Sequence, residues 1–104
     1  MELNTAVEDI VAHAKNGNDI VYDKLTDYSK EQLKDYSKDK VVESLNRFFS
    51  DKFIGLKDFR GEQINMATVN FVGEKSQENY SIDFFREDGE WKLVWPMISL
   101  EENN

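Results

Sequence analysis

With 104 residues, 39% of them hydrophobic and 12% aromatic, the chain is long enough to bury one core without disulfide or metal staples. Its 21 acidic and 13 basic residues leave a formal charge of −8, which argues against nucleic acid, because phosphate binding needs Lys and Arg gathered on one surface. Cysteine is absent, so disulfides, thiolate metal sites and cysteine nucleophiles are excluded.

The acids are spread along both halves and mixed with lysines, so a solvated acidic surface is expected ahead of a docking face for a basic partner. No apolar run reaches the ~18 residues of a transmembrane helix. MELNTAVEDI lacks the basic start and apolar stretch of a signal peptide. The compartment stays open: an exported protein would have had its signal trimmed.

Leu3, Ala6, Val7, Ile10, Val11 and Ala14 recur at the spacing of one helical stripe, predicting a helix over about 3–16. Asn4 or Thr5 is expected to cap its start, and Asn16-Gly17-Asn18 ends it with residues that tolerate a left-handed backbone. A shorter helical segment follows over about 19–26, with Ile20, Val21, Tyr22 and Leu25 as its apolar contacts. Ser29 and Gln32 have capping-box spacing, so a short helix is expected over about 30–36 with Leu33 and Tyr36 inward. Ser37 and Asp39 offer the next cap. Val41, Val42, Leu45, Phe48, Phe49 and Phe53 then make the bulkiest stripe, over about 38–53, with Gly55 placed to end the helix at φ > 0.

From Leu56 the period changes to two, predicting strands over about 56–60, 63–72, 79–87 and 90–98. Asp88-Gly89 is a type I′ turn signal. Closing the chain there pairs Glu87 with Glu90, Arg86 with Trp91, Phe84 with Leu93, Ile82 with Trp95 and Tyr80 with Met97. A slip of one residue would turn every one of these side chains to the other face. If Gly73 to Glu78 closes as a four-residue turn, Phe71 meets Tyr80, Val69 meets Ile82 and Ala67 meets Phe84. Pro96 cannot donate a ladder hydrogen bond, so its strand is expected to be an edge or to bend there. The tail, 101–104, is expected to fray. The fold class is therefore α+β in one domain, with N-terminal helices packed on a curved three- to four-stranded antiparallel meander.

The order of these pieces is similar to the nuclear-transport-factor-2-like superfamily, the curved cone-shaped α+β fold. The residues that carry the resemblance are Val7 and Ile10 in the first helix, Asp23-x-Leu25-Thr26 with Ser29-Lys30, the Phe48/Phe49 helix, and Arg86-Glu87-Asp88-Gly89-Glu90-Trp91-Lys92-Leu93. In detail it looks closest to small bacterial domains of unknown function carried on lipoproteins and envelope proteins. The resemblance implies a fold rather than an activity, since such domains include enzymes, ligand pockets and assembly modules. It also implies an extracytoplasmic setting and dimerisation through the outer sheet face.

Candidate chemistry is sparse. His13, the only histidine, falls at the edge of the first stripe, where a boundary position is expected ahead of a general base. Asp83 interrupts the strand YSIDFF; the resemblance implies a catalytic aspartate on the concave face, but the hairpin register puts Asp83 opposite Val94 on the outer face. Arg86 beside Trp91 is expected to stack on the indole. Tyr80, Phe84, Trp91 and Trp95 are the candidate pocket, with core packing the default. Phe85, Val94 and Ile98, with Met66 beside them, form the candidate outer-face interface for a protein partner or a second copy. Calcium-loop, phosphate-loop, H-E-x-x-H and G-x-S-x-G patterns are missing, so no metal or cofactor is expected. The sequence thus reads as a binding or assembly domain with no catalytic residues, and a pocket-using enzyme or small-molecule binder is the alternative.

Overall fold

A computed structural model describes residues 2–55 and 65–100. Four helices, α1 (Leu3–Lys15), α2 (Ile20–Asp23), α3 (Asp27–Gln32) and α4 (Lys38–Ser50), precede four strands, β1 (Lys52–Ile54), β2 (Met66–Gly73), β3 (Asn79–Glu87) and β4 (Glu90–Leu93). The helices pack against a curved antiparallel sheet of order β1-β2-β3-β4, an α+β arrangement. The strand expected at 56–60, the first residues of the one expected from 63, and the tail at 101–104 lie outside the described residues.

The meander follows from its turns. Asp88 and Gly89 have φ of 52° and 80°, as a type I′ turn requires, and β3 and β4 pair Glu87 with Glu90, Arg86 with Trp91 and Phe84 with Leu93. At the other end Gly73 N–H donates to Glu78 O at 2.9 Å, and β2 and β3 pair Phe71 with Tyr80, Val69 with Ile82 and Ala67 with Phe84. One face of the sheet therefore carries Ala67, Val69, Phe71, Ile82, Phe84, Trp91 and Leu93, all buried against the helices. Phe49 of α4 meets Phe71 edge-on at 5.4 Å between ring centroids, and Phe48 meets Tyr80 at 5.9 Å.

Several element ends differ from the sequence expectation, each for a long-range reason. α1 starts after Glu2, which makes no side-chain cap bond, rather than at Asn4 or Thr5; starting there puts Leu3 into the buried stripe. α2 is a single turn, because the chain from Lys24 is drawn onto the edge of β4. There Leu93 N–H donates to Lys24 O at 2.7 Å and Thr26 N–H to Leu93 O at 3.0 Å, and Leu25 bridges Leu93 in parallel. α3 is capped by Thr26, whose hydroxyl accepts from Ser29 N–H, and not by Ser29. Ser29 is fully buried, and its hydroxyl oxygen accepts from Trp95 N–H at 2.8 Å. That capture ends the last strand early. Val94 N–H still donates to Asp83 O at 3.0 Å, but the pairs expected between Ile82 and Trp95 and between Tyr80 and Met97 do not form.

α4 stops at Ser50, so Phe53 belongs to β1, opposite Val72, and is 45% exposed instead of completing the helical stripe. What turns the chain is Lys52. Its ammonium donates to Phe48 O at 2.7 Å and lies 4.0 Å from the Phe48 ring and 4.5 Å from the Tyr80 ring, leaving the residue 7% exposed. Gly55 does not have φ > 0. Its need for glycine is steric, since a Cβ there would come within 2.7 Å of both Asn70 Nδ2 and Val72 Cγ2.

One buried hydroxyl has no role in this packing. Ser44 of α4 is 2% exposed and its Oγ makes no hydrogen bond among the described residues. Ser44→Ala should therefore stabilise the protein, by a few tenths to about 1 kcal/mol, through lost desolvation cost and better helix propensity. Urea unfolding of the variant checks the sign; a loss of stability would mean that the hydroxyl is satisfied.

Candidate functional site

The space between α4 and the sheet is filled. Phe49, Phe71 and Phe84 have no exposed surface, and Trp91 and Trp95 are nearly as buried. The four residues expected to line a pocket are not gathered around one. Phe84 is interior, and Tyr80 packs beside Phe48 and Lys52 near β1. Trp91 sits at the hairpin turn under the Arg86 guanidinium, 4.6 Å from the ring centroid, while Trp95 closes the core at α3.

His13 and Asp83 are not brought together. His13 Nε2 lies 3.6 Å from Asp9 Oδ1 one helical turn away on α1, which packs on the concave side with α4 and β4. Asp83 is on the opposite face of the sheet, exposed, with its Oδ1 accepting from the Thr68 hydroxyl at 2.8 Å. A shared proton transfer between the two would have to cross the sheet.

A cavity of about 240 Å³ does open on the concave side, where α1 meets the hairpin turn. Ala6, Ile10 and Trp91 supply apolar wall, and Asp9, Lys24 and Glu90 supply charge. Each is placed by an element already described: Asp9 by the polar flank of α1, Lys24 by the bridge to Leu93, Glu90 by the type I′ turn. Trp91 Nε1 is buried and makes no hydrogen bond among the described residues. It has less than 1 Å² of accessible surface, so a ligand in the cavity reaches it only if the indole moves. Nothing in the sequence places Asp9, Lys24 and Glu90 together, since they are far apart in the chain and meet through the Lys24–Leu93 bridge and the packing of α1 on α2 and β4.

The outer face of the sheet is covered by no helix among the described residues. Met66 and Phe85 pair directly across β2 and β3 and are 38% and 41% exposed, with Lys92 of β4 and half-buried Val94 just past its end beside them. Ile98 is not part of this patch. It packs against the core beside Leu33, because the chain has left the sheet after Val94. Phe53 is exposed on the same face but lies opposite Val72, six residues along β2 from Met66, or about 20 Å away. Between them the surface is polar: Thr68 bonds Asp83, and Asn70 Nδ2 donates to Asn79 Oδ1 at 3.2 Å. Among the described residues no group of three or more His, Asp or Glu is placed to hold a metal ion, and no helix is long and apolar enough to cross a membrane.

Compared with known proteins, the chain matches no family model, no curated protein and no solved structure.

Proposed function

We propose that this chain is a binding or assembly module without catalytic residues of its own, and that it engages a protein partner or a second copy through the outer sheet face. The observation that carries the reading is the Met66–Phe85 pair, two large apolar side chains side by side on a face that no described helix covers. The filled interior supports it from the other side, because a deep pocket between α4 and the sheet would need the volume that Phe49, Phe71 and Phe84 occupy. The resemblance to nuclear-transport-factor-2-like domains of bacterial envelope proteins belongs to the same proposal, with a secreted or envelope setting. It rests on the order of helices and meander.

Sedimentation equilibrium of the chain and of its Phe85→Glu variant tests the homodimer arm: doubled mass in the parent and a monomer in the variant are expected. A partner other than the chain itself leaves both monomeric, but a photocrosslinker at position 85 then yields a discrete product in native extract while one at Ile20, also exposed, does not. Monomers throughout and no product specific to position 85 would overturn the reading.

The second reading is a small-molecule site in the cavity between α1 and the hairpin turn, favoured by Asp9, Lys24 and Glu90 converging on an apolar wall. It stands second because the charges are of both signs and the indole N–H is out of reach from the cavity.

A further inference from the structure

We propose that the open edge of β3 at Asn79 and Ser81 takes up an extended, basic peptide segment as an added strand. This site is separate from the Met66–Phe85 pair and does not depend on it.

The direction of the backbone groups follows from the bonds already made. Arg86 N–H donates to Asn65 O, and Glu78 O accepts from Gly73 N–H, so even-numbered residues of this strand turn their hydrogen-bonding groups to β2. Val94 N–H donates to Asp83 O, so odd-numbered residues turn theirs to β4. Asn79 and Ser81 therefore aim N–H and C=O at the place where β4 would continue. Nothing among the described residues fills it, because Trp95 N–H has gone to Ser29 and Pro96 has no N–H to offer. An unpaired strand edge is a template for another chain.

At Ser81 the edge lies along a groove of about 280 Å³ rather than on a flat rim. Tyr28 of α3, 70% exposed, lines it. Met97, 83% exposed and held at φ 64°, lines it too. Both are large side chains left in water beside a strand that lacks its neighbour. A non-glycine residue kept at positive φ is the kind of strain that accumulates at binding sites, and an unbranched methionine adapts to varied partners.

The chemistry of the occupant follows from alternation. A segment paired with Asn79 and Ser81 would send every second side chain to the outer face, diagonal to Asp83. The Asp83 carboxylate gives Oδ1 to Thr68 and keeps its other oxygen for a cation, so lysine or arginine fits there. The intervening side chains would point toward Trp95 and need to be apolar and short of aromatic size. A formal charge of −8 adds a general attraction for basic segments.

The probe is the acetylated, amidated tetrapeptide Lys-Val-Lys-Val, titrated into the 15N-labelled chain. Expected are saturable shifts of the Asn79, Ser81 and Asp83 amides and at least tenfold slower hydrogen exchange at Ser81. A strand bonds along one edge only, so N-methylation of one alternate pair of peptide amides should abolish binding and N-methylation of the other pair should leave it. Asp83→Asn should weaken binding at least threefold, and Glu-Val-Glu-Val at least tenfold. Phe85→Glu, which adds a carboxylate on the face that holds Asp83, should not weaken binding here, which separates this result from the loss expected in the outer-face reading. Shifts scattered over acidic surface, or binding indifferent to both N-methylation patterns, would overturn the proposal.

Discussion

Replacing Phe49 by alanine should lower the unfolding free energy by about 3–5 kcal/mol, a large share of what a domain of this size holds. Phe49 is the residue on which α4 seats itself: it has no exposed surface, meets Phe48 edge-on at 4.9 Å and meets Phe71 of β2 at 5.4 Å. Truncation removes the transferred ring, leaves a cavity between helix and sheet, and forfeits edge-to-face contacts worth roughly 0.5–1.5 kcal/mol each. Equilibrium urea denaturation gives the number directly. A loss below about 1 kcal/mol would mean that α4 is not held on β2 through this ring.

Ser29→Ala is expected to cost about 1–3 kcal/mol, although the change removes a single oxygen. The Ser29 hydroxyl is the partner of Trp95 N–H at 2.8 Å and of the Thr26 hydroxyl at 2.8 Å, in a position without solvent access. Taking it away leaves a buried amide donor unpaired, which costs more than the bond itself contributes. The local signature is faster hydrogen exchange at the Trp95 amide, with the protection of Phe84 at the hairpin held. Unchanged exchange at Trp95 would show that the strand end is fixed by Pro96 and not by the hydroxyl.

These two residues also mark where sequence reasoning worked and where it stopped. Phe49 falls on a stripe with helical spacing, and Asp88-Gly89 fixes the hairpin register by turn chemistry, so the layers and most of the ladder are legible from local pattern. Ser29 looks like a helix cap because Gln32 sits three residues on. Its real partner is 66 residues away, which no local pattern records. Phe53 misleads for a different reason: it lies four residues after Phe49 and so fits the helical stripe, and the burial of Lys52 puts it in the strand instead. The candidate sites were hidden for the same cause. The cavity depends on Lys24 being drawn to Leu93, and the β3 groove exists because a strand that alternates through Trp95 and Met97 stops pairing at Val94. Phe85 and Val94 were legible on the outer face because their register was; Ile98 was not, since it follows the departure.

The clasp between the Lys24–Thr26 segment and Leu93 has a consequence for the order in which the molecule is made. Strands that are neighbours in sequence pair without long closures, so the meander is fast and local. The helical half, by contrast, leaves the ribosome first and finds its anchors last. Leu25 waits for Leu93, and Ser29 waits for Trp95, until the whole meander has emerged. During that interval Val21, Leu25 and Leu33 have no sheet to bury against, and the helices are a nascent surface for chaperones. The residues from Leu93 to Trp95 therefore close a ring that the first helices opened, and folding becomes a single event once that segment has been made.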